Sequence, residues 1–92
     1  MFRIGAHVSI SDGFAAAVER EAELDGTCGQ VFVGSPRGWE VGEVEEDAAA
    51  AFQDAVEEAD IRPWIVHGTY LINLATPKDD LAEKSVQCVQ DE

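Results

Sequence analysis

The sequence predicts an α/β fold built on a parallel sheet. Three short apolar runs rich in Val and Ile recur along the 92 residues, and each is followed by a loop and then by a segment with apolar residues at helical spacing. Strand, loop and helix repeated in this order are typical of βα units, whose buried parallel strands read as nearly continuous apolar runs. No linker interrupts the pattern, so we expect residues 1–92 to form one incomplete domain.

The first predicted unit begins with the strand Ile4–Ser9, which carries His7. The segment after it has apolar residues at intervals of three and four, which predicts a helix whose acidic residues lie mostly on exposed faces. Either Ser11 or Asp12 is expected to cap that helix, because their side-chain oxygens can accept from its first backbone N–H groups. The apolar stripe comprises Phe14, Ala17, Val18, Ala22 and Leu24.

The second and third units follow the same plan. The run Gln30–Val33 predicts the second strand, and the apolar repeat from Val44 to Ala59 predicts a helix of about that extent. Pro63 marks the entry to the third strand, which leads into His67, and Pro77 is expected to open a third helix.

Several candidate functional residues lie in the loops that follow the predicted strands. In parallel α/β folds these loops form the active face, so we expect His7, Arg37, His67 and Tyr70 to converge there. His67 suits a metal ligand because a strand fixes its backbone and a loop leaves room for an ion. The alternative for His67 is a strand-end histidine bound to a backbone carbonyl, and for Tyr70 and Leu71 it is packing against the third helix.

Four segments of the sequence resemble endonuclease IV, the zinc-dependent apurinic/apyrimidinic endonuclease family of base-excision repair. The resemblance covers essentially all 92 residues, and it implies the N-terminal part of a TIM barrel, its first three or so βα units. The stretch from His67 to Ala75 is its most specific part. The matching segments are Ile4–Ser9, Arg37–Trp39, His67–Ala75 and Glu83–Ser85.

The resemblance implies a role for each matching residue. His67 corresponds to a ligand of the family's three-zinc cluster, and Arg37, Tyr70 and Leu71 correspond to residues that enter duplex DNA at an abasic site. His7 is expected to line the pocket or to support the ligands, and we do not assign it to metal. The implied reaction is zinc-assisted hydrolysis of the phosphodiester 5′ to the abasic site, which gives a 3′-hydroxyl and a 5′-deoxyribose phosphate.

A complete TIM barrel needs about 250 residues, so most of the family's metal ligands would lie outside this sequence. We therefore expect a fragment or truncated product that is inactive alone, and a complete enzyme that is monomeric. Two alternatives stay open: a metal-dependent sugar isomerase of a related barrel family, and a non-catalytic remnant that associates with a partner chain. Arg37 and the Tyr70–Leu71 pair disfavour the isomerase, because a small sugar needs no wedge.

The charge of the chain is unusual for a DNA-binding protein. Nineteen acidic residues oppose six basic ones, which gives a net charge of −13 and a pI near 4.2. DNA affinity normally depends on Lys and Arg, so the acids should lie away from the DNA-facing loops. An acid-rich, lysine-poor composition is typical of proteins that work in molar salt, and it predicts a halophilic, archaeal source. The sequence shows neither a leader nor an apolar run of membrane-spanning length, and its two cysteines fit reduced thiols in the cytoplasm.

Overall fold

A computed structural model describes residues 2–92 as three βα units in succession. The strands and helices alternate along the chain as β1 (Gly5–His7), α1 (Phe14–Glu23), β2 (Cys28–Val31), α2 (Glu46–Ala59), β3 (Trp64–Val66) and α3 (Asp79–Asp91). The three strands form one parallel sheet in the order β1-β2-β3. This confirms the predicted α/β class. Within residues 2–92, no helix is both long and apolar enough to cross a lipid bilayer.

The chain divides into two compact units. The first contains the residues up to Val31 together with Glu43–Val66, and therefore holds the whole sheet, α1 and α2. The second contains Phe32–Gly42 and His67–Glu92, that is, the loops after β2 and β3 together with α3.

Helices α1 and α2 of the first unit pack together and are joined by aromatic contacts. The ring of Phe52 lies 6.4 Å from that of Phe14 and 5.4 Å from that of Trp64, in both cases edge to face. Gly29 of β2 leaves room for Trp64, since a Cβ on this glycine would lie within 2.8 Å of three atoms of the indole ring. Ala17 and Val18 are buried on the inner face of α1, as the apolar stripe predicts. The stripe is wrong at its end, because Ala22 and Leu24 are exposed and Leu24 lies past the last residue of α1.

The predicted cap of α1 is wrong. The helix begins after Gly13, without a side-chain cap. Asp12 adopts a left-handed conformation in a turn closed by the hydrogen bond from the Gly13 N–H to the Ile10 carbonyl. Its carboxylate instead lies 3.3 Å from the guanidinium of Arg20.

Other boundaries differ by one to two residues. Helix α2 begins at Glu46 rather than Val44, and α3 begins at Asp79, two residues after Pro77. Strand β2 runs from Cys28 to Val31, so the end of the apolar run, Phe32–Val33, lies beyond the strand and belongs to the second unit.

Candidate functional site

His67 is the first residue after β3, and its side chain is exposed. Its Nδ1 lies 2.7 Å from the carbonyl oxygen of Gly68. A carbonyl can only accept a hydrogen bond, so Nδ1 carries the hydrogen and, in the neutral imidazole, Nε2 carries the lone pair. A backbone carbonyl bound to one ring nitrogen is the usual way to fix the tautomer of a metal-binding histidine. The contact is the one expected for a strand-end histidine bound to a backbone carbonyl, and the metal role of His67 stays a prediction.

The aromatic ring of Phe32 supports both His67 and Tyr70. Its centroid lies 4.8 Å from the imidazole and 5.6 Å from the phenol ring, and the His67 and Tyr70 rings are 6.1 Å apart. All three pairs meet edge to face, an arrangement that favours ring pairs beyond simple burial. Sequence reasoning placed Phe32 inside the second strand and missed this role. No signal in the sequence indicates this role, because Phe32 and His67 directly follow Val31 and Val66, which pair only in the folded sheet.

Tyr70 and Leu71 are exposed although both are largely apolar. The exposed fraction is 64% for Tyr70 and 36% for Leu71. Tyr70 therefore contacts Phe32 and His67 through one part of its ring while most of its surface faces solvent. Adjacent exposed apolar side chains beside a histidine are suited to a contact with another molecule.

The loop that carries Arg37 is bonded to the turn that carries Tyr70. The Pro36 carbonyl accepts the Tyr70 N–H at 2.8 Å and the Thr69 hydroxyl at 2.7 Å. Arg37 itself is exposed, and its N–H donates to the Ser35 hydroxyl at 3.3 Å. Across residues 2–92, Arg37 makes no ion pair. The second unit therefore brings together Arg37, His67 and the Tyr70–Leu71 pair.

His7 belongs to the first unit and has a different environment. It is the last residue of β1, it is exposed, and its Nδ1 lies 2.9 Å from the side-chain amide nitrogen of Gln30 on β2. The amide donates, so Nδ1 accepts and Nε2 carries the hydrogen in the neutral ring. In the neutral rings, these two contacts correspond to opposite tautomers of His7 and His67.

The site loops differ in charge from the chain as a whole. Residues 67–77 contain no acidic side chain, and residues 34–39 contain Arg37 as their one charged side chain, against a net charge of −13 overall. Residues 2–92 nevertheless provide no group of three or more His, Cys, Asp or Glu side chains that could hold a metal ion. Zinc in proteins takes about four ligands, so His67 can be at most one of them.

The chain was compared with known proteins, and no family model matches it. Two relatives named probable endonuclease 4 are similar over all 92 residues: that of Natronomonas pharaonis is 49% identical and that of Haloarcula marismortui is 46% identical. The chain spans about a third, 33%, of the length of each. The crystal structure of endonuclease IV from Thermus thermophilus matches 98% of the chain with a TM-score of 0.91 and 36% identity, over 34% of its own length.

The match in fold confirms that the three βα units correspond to part of a TIM barrel, the architecture of endonuclease IV. It does not test the roles of individual residues, so those of His67, Arg37, Tyr70, Leu71 and His7 stay predictions. In sequence and in fold, the 92 residues correspond to a third of an endonuclease IV protein.

Proposed function

We propose that this chain is the part of a DNA-repair endonuclease that opens duplex DNA at an abasic site. The complete enzyme would hydrolyse the phosphodiester 5′ to that site. The observation that carries the proposal is the short segment after β3 that bears His67, Tyr70 and Leu71 and is hydrogen-bonded to the loop of Arg37. The names of the relatives support the reaction class.

Tyr70 and Leu71 have the chemistry required of a DNA wedge. A phenol ring and a branched aliphatic group can fill the gap left by a missing base, and apolar side chains inserted into the stack open it. Turning a nucleotide out of the duplex costs least where its base is already absent, which favours abasic DNA over intact DNA. The exposure of both side chains leaves them available for this contact.

Arg37 would contribute a positive charge and a flat surface beside the wedge. Its guanidinium can bind a phosphate through two hydrogen bonds or stack on a base exposed by the opening. Because it is exposed and makes no ion pair within residues 2–92, no internal partner has to be displaced first.

The donor chemistry of His67 fits a zinc ion, which would bind through Nε2 while Nδ1 stays bonded to Gly68. Zinc, when bound, supplies a Lewis acid and an activated water for phosphodiester hydrolysis. His67 would hold one coordination position, and the remaining ligands would come from outside residues 1–92. His7, bonded to Gln30, would line or support the pocket.

The test is a chimera in which these 92 residues replace the matching third of the Natronomonas pharaonis relative. It should cleave a duplex with one abasic analogue in molar KCl and leave an intact duplex uncut. We expect the double substitution of Tyr70 and Leu71 to Ala to reduce cleavage at least tenfold. Leu74→Ala is the matched control, because Leu74 is an exposed leucine of the same loop.

Two results would contradict the proposal. One is a folded chimera that does not distinguish abasic from intact DNA. The other is a loss of cleavage activity that is the same for Leu74→Ala as for the double substitution of Tyr70 and Leu71. Turnover of an aldose by the chimera would instead support the sugar isomerase. The 92-residue chain alone should show no cleavage.

A further inference from the structure

Thr69 is a buried residue between exposed neighbours of the site. It is 5% exposed, whereas Tyr70 next to it is 64% exposed. Its hydroxyl donates to the Pro36 carbonyl at 2.7 Å, across 33 positions of the sequence. A buried hydroxyl is costly without such a partner, so this bond determines where the side chain can sit.

The same carbonyl receives a second hydrogen bond from the residue that follows. The N–H of Tyr70 donates to the Pro36 oxygen at 2.8 Å. Two donors from consecutive residues converge on one acceptor, and that acceptor belongs to the peptide that leads directly into Arg37. The backbone of Arg37 and the backbone of Tyr70 are therefore held together through Pro36.

The backbone groups of Thr69 are also occupied. Its N–H donates to the Glu92 carboxylate at 3.2 Å, and its carbonyl accepts the N–H of Ile72 at 3.3 Å, which closes the turn that contains Leu71. Glu92 follows the last residue of α3, so the turn is bonded to that helix as well as to the Pro36 loop. Thr69 is thus the residue at which three segments of the second unit meet.

We propose that Thr69 is a positioning residue, whose hydroxyl holds Arg37 and the Tyr70–Leu71 wedge in one arrangement for abasic DNA. This inference rests on the proposed function and assigns no contact between Thr69 and DNA. Orientation of binding groups before the substrate arrives is a large part of recognition, because a free loop must be ordered on binding. Loss of the hydroxyl should therefore weaken recognition of the lesion more than binding to DNA in general.

The experiment measures the affinity of the chimera for an abasic duplex and for the matched intact duplex at one KCl concentration. The quantity compared is the dissociation constant for the intact duplex divided by that for the abasic duplex, so a larger ratio means stronger preference for the lesion. Thr69→Val keeps the shape and removes the hydroxyl, and it should reduce this ratio about tenfold, the order expected for one buried hydrogen bond. Thr69→Ser keeps the hydroxyl and should stay within about twofold of the unmodified ratio.

A purely structural role for Thr69 gives a different result. It would lower the folded fraction of Thr69→Val and weaken binding to both duplexes by the same factor. An unchanged ratio would therefore overturn the proposal. If the valine variant does not fold, Thr69→Cys carries the test, because a thiol donates weakly and should give an intermediate ratio. A ratio near one in the unmodified chimera would overturn the proposed function and this inference together. If the chimera instead cleaves abasic DNA specifically and Thr69→Val leaves the ratio unchanged, this inference alone is overturned.

Discussion

Glu21 is an acidic side chain enclosed by the first unit. It is completely buried, and its Oε1 accepts the N–H of Ala6 on β1 at 2.7 Å. Its Oε2 has no hydrogen-bond partner within the described residues. Gly26 makes room for this side chain, since a Cβ there would lie 2.4 Å from Oε1. The helical pattern of the sequence placed Glu21 among mostly exposed acids, and the structure shows it to be the exception.

We expect Glu21→Ala to lower the free energy of unfolding by about 2 kcal/mol or more, because it removes the acceptor of the Ala6 N–H and leaves a cavity at a completely buried position. Urea denaturation of the 92-residue chain in molar KCl measures the change. Glu23→Ala is the control on the exposed side of the same helix and should change stability by less than about 0.5 kcal/mol. Equal stability of Glu21→Ala and the unmodified chain would show that the buried carboxylate and its bond to Ala6 contribute nothing to folding.

The raised pKa of the Cys88 thiol predicts how the free energy of unfolding changes at alkaline pH. Burial raises the pKa of its thiol, and the carboxylates of Glu92 and Asp91 raise it further. The folded chain therefore keeps the proton at a pH where the unfolded chain loses it, so the unfolded state binds fewer protons and stability falls as pH increases above about 8.5.

Unfolding free energies between pH 7.5 and 10 measure this decline. Cys88→Ser removes the thiol and keeps a donor for the Trp39 carbonyl, 3.7 Å from the sulfur, so its decline should be shallower. Val89→Ala, on the exposed side of α3, should leave the decline unchanged. Equal slopes for Cys88→Ser and the unmodified chain would show that other groups govern the pH dependence.

At the scale of elements, periodicity predicted the kinds and order of the strands and helices but not their ends. The apolar run through Phe32 and Val33 extends past β2, because apolar character reports burial or ring packing and not strand pairing alone. Similarly, Ser11 and Asp12 are good caps by residue type, but an ion pair with Arg20 competes for Asp12. Cap choice depends on such contacts, which residue type alone does not show.

The site was predictable only in part for a related reason. Motif resemblance and loop position both pointed to Arg37, His67, Tyr70 and Leu71, and the second unit contains all four. Phe32 and Thr69 support them through a ring contact and a hydrogen bond that join positions more than thirty residues apart. Such pairings depend on the fold, and no local pattern in the sequence indicates them.

The close approach of β2 and β3 yields a prediction about Gly29. We expect Gly29→Ala to lower the free energy of unfolding by about 1–3 kcal/mol, because the new methyl group would overlap the Trp64 ring and force it to move. This exceeds the gain of about 0.5–1 kcal/mol that alanine brings by restricting the unfolded chain.

Gly42→Ala is the matched control for Gly29→Ala. A Cβ at Gly42 would have no atom within 4 Å among the residues described, so the same chain-entropy gain acts without overlap. Thermal and urea denaturation should therefore separate the two variants in opposite directions. A Gly29→Ala chain as stable as Gly42→Ala would show that Trp64 can move aside without cost.

For the whole molecule, the excess of negative charge predicts that stability depends on salt. Three ion pairs involve Arg3, Arg20 and Arg62, and they use only two acidic residues, Asp12 and Asp60, of the nineteen in the sequence. The other carboxylates have no such cation among residues 2–92. Helix α2 shows the consequence most clearly: it contains no basic residue, and Glu57 and Glu58 lie in its last turn, where the helix dipole disfavours negative charge.

We expect the stability of the 92-residue chain to rise steeply with KCl. The screening length falls from about 10 Å at 0.1 M salt to about 3 Å at 1 M, so repulsion among the carboxylates weakens over this range. Melting temperatures measured by circular dichroism from 0.1 to 2 M KCl test this. The triple substitution Asp54→Asn, Glu57→Gln and Glu58→Gln removes three exposed charges of α2 and should flatten the dependence below 1 M. A general salting-out effect would act on apolar burial instead and would raise both chains equally, so parallel curves would show that charge repulsion does not set the salt requirement.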